Sequence, residues 1–187
     1  MKREIVVFGH PSLRRPATRV VSVDAALRRL ADDMLETMYE ADGLGLAAQQ
    51  INETPALCVV DVPAEMDVLV EDGPRLNPAV AMPLVMVNPE IVARAESESL
   101  IDEGCLSFPK LYAPVLRVSV VTVRFLNLKG QLQTCEVRGL LARAVQHELD
   151  HLAGVLFVDH VASAEREALN VQLQEMERTG RRQAGVA

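Results

Sequence analysis

His147 and His151 stand four positions apart in Gln146-His147-Glu148-Leu149-Asp150-His151-Leu152. In a helix each residue advances by about 100°, so positions four apart share a face and both imidazoles can reach one metal ion. Glu148, one step round from His147, is then placed beside a water activated by that ion rather than on the ion itself. The chemistry is hydrolytic. Two chance histidines on a solvated helix would give the same string, so the surroundings must decide. Leu140, Leu141, Ala144, Val145, Leu149 and Leu152 recur at three- and four-residue steps, which gives the segment an apolar, core-facing side. Gly139 marks its start and Gly154 follows its end, where a left-handed residue commonly closes a helix. Ionisable groups set into such a run are costly unless paired, and a metal supplies the partner.

Two histidines leave a metal short of ligands. In a metzincin-like pattern the last histidine would fall on Phe157, and a glutamate from the following helix would have to be chosen among Glu165, Glu167, Glu175 and Glu177 with no supporting motif. Cys105 is the better third ligand: it sits in Glu103-Gly104-Cys105-Leu106-Ser107, a Gly-flanked turn before Pro109, and a metal-bound thiol is present as thiolate. Cys58 and Cys135 fit the role of small buried hydrophobes. A third stretch, Gly43-Leu44-Gly45-Leu46-Ala47-Ala48-Gln49-Gln50-Ile51, lacks the Gly-Lys-Ser/Thr ending of a phosphate loop. Its glycines suit close backbone approach to a ligand, with an extended peptide pairing as an added strand.

The elements that must position these residues fit one domain, residues 1–187, with 49% apolar residues and few aromatics. Residues 1–23 read as an irregular, partly extended arm. A helix capped by Asp24 carries Leu27, Leu30, Met34, Leu35 and Met38 on its apolar stripe and ends at Gly43. Strands are expected at 56–62, 84–87 and 91–98, and a hairpin joins 115–125 to 131–137 through Asn127-Leu128-Lys129-Gly130. Pro63, Pro74, Pro78 and Pro83 mark residues 63–83 as a surface-loop insertion. An amphipathic helix at 163–178 and a flexible tail at 180–187 end the chain. The fold class is α+β, with mixed or antiparallel strands around the central HExxH helix and a helix at either end.

A formal net charge of −7 argues against broad electrostatic binding to DNA or to an anionic membrane. Three widely spaced cysteines suit a reducing compartment, and no apolar run is long enough to span a bilayer. The expected location is cytoplasmic.

Together and in this order, the Gly43–Gln50, Glu103–Ser107 and Gln146–His151 stretches resemble the three motifs of the peptide deformylases. His10-Pro11-Ser12-Leu13-Arg14 resembles the family's N-terminal segment, Val87-Asn88-Pro89 its strand before the second motif, and the terminal helix that of the bacterial form. The resemblance implies an enzyme that removes the formyl group from the N-formyl-methionine end of newly made polypeptides and releases formate. It implies one Fe²⁺, exchangeable for Zn²⁺, Ni²⁺ or Co²⁺, held by Cys105, His147 and His151, with Glu148 moving the proton. The Gln50 amide and the Leu106 N–H would stabilise the oxyanion. Gly43, Leu44 and Gly45 would bind the peptide backbone, and Leu44 and Ala144 would line the methionine pocket. Glu103, Gln146, Asp150 and Arg117 are candidates for orienting the ligands, and Arg178, Arg181 and Arg182 could touch the ribosome near its exit tunnel. Lys110 departs from the family, standing where many relatives have glycine. The competing readings are a zinc endopeptidase, which the lack of a downstream ligand disfavours, and a non-catalytic metal-binding or ribosome-associated module. The module reading would call for Gln50, Cys105 or Glu148 to be replaced, and none is.

Overall fold

A computed structural model of the chain describes residues 1–186. The first helix, α1 (Ala25–Glu40), starts where its cap is, with Asp24 accepting from the Leu27 N–H at 2.8 Å. Such a cap is worth about 1 kcal/mol. Leu27, Ala31, Met34 and Met38 turn inward at helical spacing. Next come β1 (Gly45–Ala47), a 3₁₀ turn at Ala48–Ile51 and β2 (Leu57–Val60). Five further strands follow: β3 (Leu84–Arg94), β4 (Glu98–Cys105), β5 (Phe108–Val118), β6 (Val120–Leu126) and β7 (Leu132–Arg138). The chain closes with α2 (Gly139–Ala153), α3 (Ser163–Ala168) and α4 (Asn170–Gln183).

The strands form two antiparallel sheets, one in the order β1-β2-β3-β6-β7 and one made of β4 and β5 alone. Helix α2 packs against members of both. On one side Leu141, Ala142, Val145 and Leu152 meet Val60, Met86, Val121 and Val123 of the large sheet. A second core joins Phe108, Leu111 and Val115 of β5 to Val6, Leu156, Phe157 and Leu173, and a third lies under α1. The expected α+β arrangement around the HExxH helix therefore holds. None of the described helices is long and apolar enough to cross a membrane.

Several local expectations are corrected. Residues 84–87 and 91–98 are not separate strands: β3 runs from Leu84 to Arg94, bulging between Val87 and Glu90. At that bulge Asn88 takes φ 50°, and its amide is bonded to both Val20 N–H and Val20 C=O at 2.8 Å. The run 115–125 is divided, because β5 ends at Val118 and β6 begins at Val120 in the other sheet. β-branched composition marks extended chain but not a change of partner. Glu103, Gly104 and Cys105 end strand β4, so only Leu106 and Ser107 form the turn, and Pro109 lies within β5.

The terminal helix is two helices meeting at Leu169, and it outlasts the expected start of the tail. Contact with the N-terminal arm is the reason. A Cβ at the buried Gly180 would lie 2.3 Å from the Phe8 carbonyl oxygen, so arm and helix touch backbone to backbone. The Gln183 amide accepts from Val7 N–H at 2.9 Å and donates to Glu4 at 2.7 Å. The arm itself is irregular yet tied down, with Val6 N–H donating to Gln50 C=O at 2.8 Å and Phe8 N–H to Ser107 C=O at 2.9 Å.

Residues 63–83 contain neither helix nor strand. They are nonetheless anchored. Asp67, 2% exposed, accepts from Asn77 N–H and Arg75 Nε, each at 3.1 Å. Asn77 in turn accepts from Arg138 N–H at 2.8 Å and donates to Arg138 C=O at 3.1 Å, directly before α2.

Candidate metal centre and cleft

Helix α2 brings His147 and His151 onto one face, and the end of β4 brings Cys105 to them. The three ligand atoms lie within 4.8 Å of one another, and Cys105 Sγ is 3.3 Å from His151 Nε2. Gly154 ends the helix at φ 75°, within 2.7 Å of the Arg14 carbonyl oxygen for any added Cβ, so glycine is required there on both counts.

Around the ligands, charge is arranged in a buried network. Glu103 accepts from Arg117 Nε at 2.9 Å, Arg117 Nη2 at 3.0 Å and Arg143 Nη1 at 2.7 Å, and its Oε2 is 3.1 Å from His147 Nδ1. Burial alone would raise the Glu103 pKa, but the bonds from His147 and Arg117 overcome it and hold it at about 2. The carboxylate thus occupies His147 Nδ1 and leaves Nε2 for an ion. Asp150 extends the chain of contacts, accepting from Arg117 Nη1 and, at 2.8 Å, from His160 Nε2. Gln146 does not join it: its amide donates to Val118 C=O at 2.8 Å and Ala142 C=O at 2.9 Å, fastening α2 to β5.

The residues fit a divalent cation. His151 is driven well below its ordinary value by burial and by the charges of His147 and Arg117. His147 is held well above its own: burial would lower it, but its contacts with Cys105 and Glu103 prevail. Negative charge gathered round a buried imidazole is what a metal ion neutralises. Glu148 is buried, its Oε2 has no partner within the protein, and burial raises its pKa to about 7. That is a carboxylate poised to exchange a proton near neutral pH.

Gln50 sits beside the ligands. Its Oε1 accepts from Ala47 N–H at 2.8 Å, which orients the NH₂ toward Cys105 Sγ and Ser107 Oγ, each 3.4 Å away. Leu106 follows Cys105 in the turn, and its Cδ1 lies 2.7 Å from where a Gly43 Cβ would be. Gly45 has a second use that spacing did not reveal: a Cβ there would lie 2.3 Å from Glu148 Oε1. Gly45→Ala should therefore displace the carboxylate and lower kcat by about a hundredfold, the usual cost of a misplacement near 1 Å; steady-state kinetics at matched metal content checks it.

A cleft of about 780 Å³ opens onto this centre, lined by Gly43, Leu44, Gly45, Gln50, Leu140, Ala144, His147 and Glu148 among others. The structure thus brings together the expected ligands, Glu148, Gln50, Leu106, the glycine turn, Ala144, Glu103, Arg117 and, at one remove, Asp150. Arg143 was missed. Its signal was a charged residue inside an apolar helical run, one turn before His147.

Comparison with known proteins agrees with this geometry. The family model described as polypeptide deformylase matches residues 2–167. A peptide deformylase of Rhizobium meliloti is 43% identical over 165 residues, 88% of either chain. Among solved structures, a Synechococcus elongatus peptide deformylase in complex with actinonin is 37% identical with TM-score 0.75, covering 99% of this chain and 87% of that one. Arabidopsis thaliana peptide deformylase 1B, bound to an inhibitor, is 33% identical with TM-score 0.84, covering 98% and 94%.

Proposed function

We propose a mechanism from the premise that this chain belongs to the polypeptide deformylase family. Its activity is metal-dependent hydrolysis that removes the N-formyl group from nascent polypeptides. The observation that carries the residue assignment is the convergence of Cys105, His147 and His151 with an unpartnered, buried Glu148 on one cleft.

Cys105, His147 and His151 would hold the ion, which we take to be Fe²⁺, with Zn²⁺, Ni²⁺ or Co²⁺ able to replace it. When bound, the ion supplies Lewis acidity toward the formyl oxygen and acidifies water. Glu148 takes the proton from the attacking water and delivers it to the departing nitrogen as the C–N bond breaks, leaving formate and a free amine. Gln50 Nε2 and the Leu106 N–H donate to the negative charge that develops on the formyl oxygen, as fixed dipoles of the site. Glu103 holds His147 in the tautomer that ligates, with Arg117 and Arg143 keeping Glu103 charged and Asp150 steadying Arg117. Gly43 to Gly45 pair with the extended peptide backbone, and Leu44 and Ala144 contact the methionine side chain. The setting is the cytoplasm, where formylated chains are made.

Two measurements test these assignments. Formate release from formyl-Met-Ala-Ser by anaerobically prepared, Fe²⁺-loaded protein is expected; metal-loaded protein that releases none would sink the reading. Ala144→Phe should raise KM for that peptide about tenfold by filling the pocket, and an unchanged KM would remove Ala144 from it.

A further inference from the structure

The 3₁₀ turn Phe157–Asp159, which follows α2, reaches back toward the metal centre at two points. The Phe157 ring lies 6.1 Å from the His147 ring, centroid to centroid, and His160, which closes the turn, places Nε2 2.8 Å from Asp150 Oδ2. The turn is firmly seated. Val158 and Val161 are buried, His160 N–H donates to Phe157 C=O at 3.0 Å, and Asp159 accepts from Leu156 N–H at 2.9 Å and Arg14 Nη2 at 3.0 Å. Asp150 needs such a neighbour. It stands in the last turn of α2, where the unpaired carbonyls disfavour a carboxylate, and its side chain is still 24% exposed, so water competes for it. Both of its donors, Arg117 Nη1 and His160 Nε2, meet the same oxygen, Oδ2. Arg117 in turn directs Nε and Nη2 to Glu103, whose Oε2 faces His147 Nδ1 at 3.1 Å. An unbroken chain of polar contacts therefore runs from the exposed His160 to a metal ligand.

We propose that His160 is a positioning residue for the metal ion: by pinning Asp150 it holds Arg117 through its remaining nitrogen, keeps the Glu103 carboxylate on His147 Nδ1, and so sets how tightly the centre retains its ion. The inference rests on the reading of Cys105, His147 and His151 as ligands and is independent of the substrate. A neutral imidazole can carry its proton on Nε2 and donate it to a carboxylate, so the contact needs no charge on the ring. Groups bonded directly to a ligating imidazole are worth roughly 10–100-fold in affinity, and His160, three contacts further out and partly in water, corresponds to about fivefold.

The test is a competition titration of Co²⁺ between the protein and a chelator of known affinity, with Tm measured on each variant. His160→Leu, which removes the donor, should raise the Co²⁺ Kd about fivefold. His160→Gln, whose amide nitrogen has the reach of Nε2, should stay within about twofold of native. Asp150→Ala should itself raise Kd, and adding His160→Leu to it should raise Kd no further, because the contact is already gone. Arg166→Leu loosens the same turn by removing the bond to Val158 C=O at 3.1 Å without touching Asp150, and should lower Tm while leaving Kd native. The proposal is overturned by an unchanged Kd in His160→Leu, by His160→Gln binding as weakly as His160→Leu, by additive losses in the double variant, or by an equal loss of affinity in Arg166→Leu. In each of these cases tight Co²⁺ binding by the native protein leaves the ligand assignment standing. Native protein that binds no Co²⁺, or Cys105→Ser protein that binds it as tightly as native, overturns that assignment and this inference with it.

Discussion

Glu148→Gln should lower kcat by 10²–10⁴-fold, the span associated with a positioned acid–base group, without reducing metal content. The substitution keeps the size of the side chain and removes only its capacity to carry a proton. Because Cys105, His147 and His151 are untouched, metal analysis should return the native stoichiometry. Folding should not suffer either. Burial raises the Glu148 pKa to about 7, so above that pH the fold bears an ionised carboxylate it disfavours, and the neutral amide relieves it. The variant's Tm above pH 7 should match or exceed the native value in metal-free protein. The pH profile supplies an independent check. A base must be ionised to act, so native activity should fall as pH drops through the Glu148 pKa, which a cation in front of the carboxylate moves below 7. That acid limb should vanish in the residual activity of the variant. A kcat within tenfold of native would dismiss Glu148 as the proton carrier.

Glu103→Gln should be the most destabilising single change at the site. Glu103 is the one carboxylate bonded to both Arg117 and Arg143, and all three are buried. Removing one partner from a buried ion cluster costs about 3–5 kcal/mol, because the remaining charges keep their desolvation penalty. Urea titration reads this directly. Loss of the anchor on His147 Nδ1 should also weaken metal binding by about 10–100-fold. Arg143→Met in the Glu103→Gln background should recover part of the stability, since it removes one orphaned charge; simple additivity of the two losses would contradict the network. The acid limb has a defined sign. A carboxylate depressed from 4.5 to about 2 contributes stability that is full above 4.5 and is lost as pH falls toward 2. Native protein should show that loss, and the variant should not.

The catalytic helix was legible because two requirements share one period. Ligands four residues apart and core residues three or four apart both follow the α-helical repeat, so His147, His151, Leu141, Val145 and Leu152 reinforce one another. Cys105 was legible through its glycine and through the failure of downstream alternatives. Strand β4 was not, because Glu98-Ser99-Leu100-Ile101-Asp102-Glu103-Gly104-Cys105 alternates poorly: Leu100 and Ile101 are both exposed and the buried member is a glutamate. Its inward face is polar because it must hold guanidinium groups. Arg143 was hidden for the reciprocal reason, a charge whose partner lies forty positions away. Pairwise chemistry between distant residues leaves no local period.

The docking of Gly180 against Phe8 has a consequence for the order of synthesis. Phe8 stacks on Phe108 and donates to Ser107, while Val6 donates to Gln50, so the arm buttresses two of the catalytic stretches. The buttress is completed by α4, whose Gln183 lies 176 positions beyond Val7. A chain emerging amino end first makes the arm well before α4, so the arm must wait for that helix before it has its seat. The arm therefore braces the Gln50 and Ser107 stretches in its final seat only once α4 has been made.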